Sequence, residues 1–462
     1  MELDRGGLGR WVAAGAGDTL CVGDLVRVQA FARAALRLPD DTVLRLDQNT
    51  TMRWAAPERQ DRSLLELLRG IIHVISRDPR SLSFATPFAN AGLEGTEFVV
   101  EVTDAQTDVT VLEGVVVMDN AAGTAEVNAG ERGTAQRGTA TAVTPIAKPI
   151  EAVRWALYYA PVLAEQLPRP DQAPAARQER DPDFFVGRAA GRLLVGRVTQ
   201  AREDLDRALA LDPAHADAHA LQAAIAATLN EVDEAERLAE AAIVENPGSA
   251  AALIALSYAR QERFDLTATR DTLEATVQTH PENAVAWARL AEARLATGDL
   301  NGGREAAQRA TSLQPGLAHA HTVLGFARLL NLTLADARQS FETALALNAA
   351  APLAHLGLGL TLIRGGELEA GRREIELAVL LDPNDALARS YVAKAYHEER
   401  RGALPAAQLA LAKTLNPAEP TPWLYDALRK QAENQPVEAL HDLEQAAALN
   451  DRQTVYRSRL RM

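Results

Sequence analysis

Two imidazoles four residues apart, His215 and His219, could share one helix face and hold a metal ion. No carboxylate or cysteine completes a ligand set by spacing, so no metal site is expected. His219, His321 and His355 fall at one register position of a longer period, which reads them as packing residues. Cys21 is the single cysteine. It cannot form an internal disulfide or a thiolate cage, and no histidine at fixed spacing would activate it as a nucleophile. Gly6-Gly7-Leu8-Gly9 is glycine-rich, but no strand is expected before it and no lysine follows, so it does not read as a phosphate loop. Neither a Gly-x-x-x-x-Gly-Lys nor a His-Glu-x-x-His motif occurs. The acidic pairs Asp233-Glu234 and Glu398-Glu399 read as solvated helix faces. No acid, base and nucleophile can be assembled, so the chain is expected not to be an enzyme and to need no cofactor.

The elements behind these residues follow a period. Pro213, Pro247, Pro281 and Pro315 are spaced by 34 residues, and the same step reaches Ala349, Pro383 and Pro417. Units starting at Pro182, Ala216, Ala250, Ala284, Ala318, Pro352, Ala386 and Pro420 keep phase without an insertion. Position 8 of each unit is small (Ala189, Ala223, Ser257, Ala291, Gly325, Gly359, Ala393, Ala427), as is position 27 (Ala208, Ala242, Thr276, Ala310, Ala344, Ala378, Ala412, Ala446). Small side chains let two antiparallel helices approach to the short end of the roughly 8–10 Å interaxial range. Position 24 is mostly large and should fill the space beside helix B, as with Leu205, Leu273, Phe341, Ile375, Leu409 and Leu443. The proline ends helix B, since it lacks an N–H and clashes with a preceding carbonyl. Gly303, Gly371 and Pro405 interrupt the alanines of position 20, and Pro405 should mark a first helical turn. The period predicts a solenoid of helix pairs over residues 182–453.

These columns resemble the tetratricopeptide repeat family, best in Ala318–Ala351 with Leu324-Gly325, Ala337, Phe341 and Ala344; Trp287 and Trp423 hold the aromatic position 4. The resemblance implies a concave surface built by helix A at positions 2, 5, 9, 12 and 13. Units 5 and 6 would then present Phe326, Leu329, Leu330, Leu353, Leu356, Leu360, Ile363 and Arg364. Tyr258, Gln261 and Glu262 flank them in unit 3, and Lys394, His397 and Glu398 in unit 7. The groove reads apolar in its middle, suited to a peptide helix or an extended apolar segment. Only Arg364 and Lys394 are placed to meet a carboxylate, so a two-carboxylate clamp is not expected. Alternatively the superhelix is tight, or the N-terminal domain or a second copy fills the groove.

From about Asp18 to Gly138 the hydrophobic period changes to 2. Strands are predicted at Leu25–Val28, Ala35–Leu38, Thr42–Leu46, Gly70–Ile75, Thr96–Val102, Thr107–Leu112 and Val115–Met118. A Pro39-Asp40-Asp41 turn joins the second and third, Arg37 and Arg45 face solvent, and further turns fall at Asp104, Gly114 and Asn120. Short strands at this spacing suggest an all-β sandwich or barrel, or a β-solenoid. Leu38-Pro39-Asp40-Asp41, Leu46-Asp47-Gln48-Asn49-Thr50, Thr86-Pro87, Gly95-Thr96-Glu97-Phe98, Val111-Leu112-Glu113-Gly114 and Asn128-Ala129-Gly130-Glu131 are similar to the FecR domain. That resemblance implies an extracytoplasmic bacterial domain, which in sigma-regulating members follows a cytoplasmic segment and a membrane span. Neither is seen before this one, so sigma-factor control is not carried over.

The expected organisation is therefore multidomain. An all-β FecR-like domain spans 15–140, a short helix and Pro-rich linker 141–181, an all-α solenoid of about eight helix pairs 182–453, and the start of a further helix 454–462. Trp155, Tyr158, Tyr159 and Val162 would share one face of the linker helix, and residues 168–180 are polar and proline-rich. No polar capping helix follows unit 8, which leaves homo-oligomerisation through that face open. The formal charge of −14 is spread along the chain without a basic stripe, so nucleic acid is not an expected partner. No apolar run is long enough to span a membrane. Met1–Leu20 shows no leader-like segment, against the periplasmic location that the FecR resemblance implies; a cytoplasmic location is the alternative. The expected function is a non-enzymatic envelope scaffold or signalling protein that binds a protein or peptide partner. Its alternatives are a structural, oligomerising subunit of an envelope or export assembly and a soluble cytoplasmic scaffold.

Overall fold

The computed structural model describes residues 1–15, 18–30, 32–38, 42–55, 63–76, 82–146, 180–194 and 197–449. The chain divides into two units, Met1–Ala156 and Leu157–Met462. The helix expected around Trp155 and Tyr158, the Pro39-Asp40-Asp41 turn, the proline-rich linker up to residue 179 and the segment from residue 454 lie outside the described residues.

The described residues of the first unit form one sheet of 13 strands. These are β1 (Glu2–Asp4), β2 (Trp11–Ala13), β3 (Leu25–Arg27), β4 (Ala34–Arg37), β5 (Val43–Leu46), β6 (Thr51–Ala55), β7 (Ser63–Ile75), β8 (Leu82–Ala85), β9 (Asn90–Val102), β10 (Gln106–Asn120), β11 (Gly123–Asn128), β12 (Glu131–Gln136) and β13 (Ala142–Pro145). Pairing is antiparallel except between β7 and β8. The predicted hairpin is present, with Arg37 opposite Val43.

Strand β7 is the hub. Its first part pairs with β6 and β8, and its second with β5 and β9. The change of partners falls at Gly70, whose φ of +101° is closed to most side chains. A Cβ there would stand 2.5 Å from Thr50, so both the bend and the close approach need glycine. Inward-facing Leu44, Leu46, Leu65, Leu67, Ile72, Val74, Phe84, Phe98, Val100 and Val111 fill one core.

Three expectations are corrected here. Arg45 is 5% exposed instead of facing solvent; it lies in a strand paired on both edges, with β4 and β7. The strands predicted on either side of Gly114 form one strand, β10; Gly114, at φ +81°, sits where the register slips and makes a bulge rather than a turn. A strand does precede the glycine-rich loop. Gly9 and Arg10 amides donate to the Asp4 carboxylate (2.8 and 3.1 Å), and the Gly6 amide donates to Asp24 (2.9 Å). The anions that this loop binds are the chain's own.

The second unit holds sixteen described helices in consecutive antiparallel pairs. They are α1 (Pro182–Leu194), α2 (Val198–Leu211), α3 (Ala216–Thr228), α4 (Val232–Glu245), α5 (Ala250–Glu262), α6 (Leu266–Thr279), α7 (Ala284–Ala296), α8 (Leu300–Leu313), α9 (Ala318–Leu330), α10 (Leu334–Leu347), α11 (Pro352–Arg364), α12 (Leu368–Leu381), α13 (Ala386–Glu398), α14 (Leu404–Leu415), α15 (Thr421–Ala432) and α16 (Pro436–Leu449). Both small-residue columns are buried throughout, and Pro405 sits in the first turn of α14. Among the large residues of position 24, Phe341 and Ile375 are 0% exposed whereas Leu443, in the last described helix, is 36% exposed.

In units 4 to 7 position 4 ties the unit to the turn before it. Trp287 Nε1 donates to the Pro281 carbonyl, and Arg389 Nε donates to that of Pro383. His321 and His355 Nε2 bond the carbonyls of Pro315 and Ala349 in the same way. Those carbonyls lie in the turn just past the previous helix B, which ends two residues earlier in each case.

Candidate functional site

A helix A side chain at positions 2, 5, 9, 12 or 13 points away from its own helix B, so neighbouring units line up these positions on one face. Tyr258, Phe326, Leu329, Leu330, Leu353, Leu356, Leu360, Ile363, Arg364 and Lys394 all line one cavity of about 980 Å³. His397 does not line it, although Glu398 of the next turn position does. Leu329 and Leu356 are themselves buried, at 7% and 2% exposure, and form the floor; Phe326, Leu330, Leu353, Leu360 and Ile363 are half-buried and form the wall.

The wall is stiffened from behind by Phe341. Its ring meets Phe326 edge to face at 5.1 Å. A Cβ on Gly325 would come within 2.6 Å of that ring, so the glycine of helix A makes room for the large side chain of helix B. Gly359 and Gly371 let α11 and α12 approach still closer, with the Gly359 carbonyl 2.5 Å from where a Gly371 Cβ would stand.

One flank of the cavity is a polar cluster centred on Arg289, the one member that lies off the columns of the repeat. Arg289, 1% exposed, stacks over Tyr258 at 3.7 Å, donates to Gln261 at 3.0 Å and pairs with Glu292. His319 Nε2 lies 3.2 Å from the same Glu292. Burial pushes the His319 imidazole toward its neutral form, and nearby Arg289 adds to this while Glu292 opposes it. On the other flank Tyr391 and Tyr425 meet edge to face at 5.7 Å, and Lys394 is bound to Glu398 at 2.7 Å.

The two flanks meet. Asn384 Nδ2 donates to the Thr228 carbonyl at 2.6 Å, across 156 residues of sequence. Asn416 Nδ2 donates to Glu262 Oε2 at 3.0 Å, across 154. The superhelix is therefore tight, and units 2 and 3 touch the turns that bracket unit 7. Glu262, Asp385 and Glu419 converge at this contact. Burial, followed by the charges of Asp385 and Glu419, pushes the Glu262 carboxyl up to about 7. Burial likewise raises Asp385 and Glu419 above the usual carboxylate range.

Carboxylates outnumber cations around the cavity: Glu262, Glu292, Asp382, Asp385, Glu398 and Glu419 against Arg289, Arg364 and Lys394. Two of the three cations are already paired, Arg289 with Glu292 and Lys394 with Glu398. The cavity thus offers apolar contact and a negative potential, and no metal-ligating group of three is found among the described residues.

The histidines noted in the sequence have local partners. His215 caps α3 through the Ala218 amide and lies 3.0 Å from Asp183, while His219 meets Glu245 at 2.9 Å. Cys21 is exposed. No described helix is long and apolar enough to cross a membrane.

Comparison with known families gives two matches. Residues 24–117 match the model of the FecR protein family, and residues 192–250 and 333–386 match a tetratricopeptide repeat model. Among solved structures, a chain of the APC/C hetero-tetramer Cut9-Hcn1 is similar at 16% identity and a TM-score of 0.47, over 59% of this chain. This chain spans 54% of that one. The tetratricopeptide protein TTC0263 of Thermus thermophilus is similar at 22% identity and a TM-score of 0.35, over 39% of this chain and 98% of its own. A Parabacteroides distasonis protein described as a candidate anti-sigma factor is similar at 20% identity and a TM-score of 0.26, over 29% of this chain and 67% of its own. A comparison with curated protein sequences finds no match.

Proposed function

We propose that this chain, a FecR domain followed by tetratricopeptide repeats, is a non-enzymatic scaffold or signalling protein of the bacterial envelope that captures a protein segment on the concave face of its repeats. Both modules belong to protein interaction and regulation, and the FecR family suggests the envelope setting. The occupant is a segment presenting apolar side chains together with a basic group. One observation carries this reading: the leucine and phenylalanine wall of units 5 and 6 shares its cavity with six carboxylates and three cations. The apolar wall supplies affinity, and the negative potential selects against acidic segments. Covering roughly 300 Å² of apolar surface contributes about 7 kcal/mol before association costs of similar size, which suits reversible capture.

The test uses fluorescent leucine-rich peptides that differ by one central lysine or glutamate. The lysine peptide is expected to bind at least about tenfold more tightly. The double variant Phe326→Asp with Leu360→Asp should lose that binding while keeping its helical circular dichroism. Because Phe326 also packs on Phe341, Leu353→Asp serves as a second variant on the half-buried wall. Equal binding of both peptides, or unchanged binding by the folded variants, overturns the assignment.

A further inference from the structure

A solenoid whose units touch only their neighbours has no need for contacts across a full superhelical turn. This one makes them, and it places three carboxylates where they are made. Asn384 reaches Thr228, Asn230 reaches the Asn384 carbonyl at 3.4 Å, and Asn416 reaches Glu262. Three asparagine side chains thus hold the turn shut beside an acidic cluster.

We propose that this contact is a proton-operated latch on the groove: with a proton held among Glu262, Asp385 and Glu419 the turn closes, and with all three ionised their repulsion parts units 2 and 3 from the turns around unit 7. The device regulates access to the concave face and rests on the groove reading only for that consequence.

The charges around the cluster favour this behaviour. Glu262 ends α5 and is faced by Asp385, which caps α13, by Glu419, which precedes α15, and by Arg289 of α7. Arg289 is the cation that would relieve Glu262, but it is engaged by Glu292 and Gln261. Arg389 of α13 partly offsets the charge of Asp385 and donates to the Pro383 carbonyl and to Gln408. Asp385 accepts from the Leu387 and Ala388 amides, and Glu419 from the Thr421 amide, so these two gain most from staying ionised. Glu262 accepts from the Asn416 side chain, which only partly offsets its burial and the facing charges of Asp385 and Glu419, so it is the member best placed to take the proton.

The direction with pH follows from linkage. Glu262 binds its proton more tightly when the turn is closed, with its carboxyl at about 7 against an ordinary 4.5. Closure is therefore fully favoured below the ordinary glutamate value, weakens as pH rises, and reaches its minimum above about 7. Between those limits the closed-to-open ratio falls by about two orders of magnitude from this one group.

Spin labels test it in the full chain. Cys21→Ser removes the native thiol, and labels go on the exposed positions Glu234→Cys and Thr414→Cys, one on each arm of the contact. The label distance is expected to be longer at about pH 8 than at about pH 5. Glu262→Gln, which keeps the shape of the protonated side chain, should hold the short distance at both. The pair Asn384→Ala and Asn416→Ala should show the long distance at both, with circular dichroism confirming folded helices. An unchanged distance in the parent, a Glu262→Gln protein that opens as the parent does, or a short distance without the asparagines overturns the latch. Peptide capture is not read here, so this result and that of the groove test stand separately.

Discussion

The β unit and the helical unit solve the same burial problem with opposite connectivity. In the β unit, residues far apart in sequence are neighbours: β7 bonds to β5, β6, β8 and β9, and its turning point at Gly70 rests on Thr50. In the helical unit each helix meets mainly the next two, and one design recurs every 34 residues. The first arrangement consumes its apolar faces in one shared core. The second leaves a face that no neighbour covers, because a helix A contacts its partners on only part of its circumference. A cavity lined by helix A side chains is thus the default product of the repeat, whereas in the sheet a free face would have to be built.

The comparison is broken most severely in the sheet. Phe98 is 0% exposed and meets Phe84 edge to face at 5.8 Å. Phe98→Ala should cost about 3–5 kcal/mol and remove a cooperative share of the sheet, since one strand serves several partners. The two-unit picture predicts that the helical circular dichroism melts as before; a single transition shifted as a whole would contradict it. A milder break lies in the repeat. Ala344 is 0% exposed in the position-27 column, and Ala344→Leu should cost about 1–3 kcal/mol through overpacking of α9 and α10. A chemical denaturation midpoint equal to the parent's would mean the column does not carry the packing.

The smallest effect has the opposite sign. Position 15 of units 2 to 8 is left-handed throughout: Asn230, Phe264, Gly298, Leu332, Gly366, Arg400 and Asn434. Leu332 is 59% exposed at φ +62°, a conformation that costs an L residue about 1–2 kcal/mol. Leu332→Gly should therefore raise stability by about 0.5–1 kcal/mol after the flexibility glycine adds to the unfolded chain. A lower melting temperature would show that the leucine side chain contributes more than its backbone costs.

The glycine and asparagine recurring at position 15 were a readable sign of that turn, masked where Phe264, Leu332 and Arg400 interrupt the pattern. In the sheet, alternation located strands at Leu25, Val43 and Thr96 but shortened β7, β9 and β10. A glycine reads as a turn in sequence, yet a paired strand absorbs one extra residue as a bulge, as β10 does at Gly114. The polar flank of the cavity was less accessible. Arg289 sits off the expected columns, and its burial depends on Tyr258 and Gln261 arriving from the neighbouring helix, while His319, on a column, meets Glu292 of the unit before it.

Sequence alone determined the period, the helix pairs, the small-residue columns and the apolar concave face, because each depends on spacings within a unit or between adjacent units. The tertiary structure alone decided that the superhelix closes on itself. Each unit adds a small rotation, and only their sum brings Asn384 to Thr228 and Glu262 to Asn416. No local pattern encodes that sum, so the carboxylates that meet there stand in sequence as ordinary polar residues. Their raised proton affinity comes first from burial at that contact.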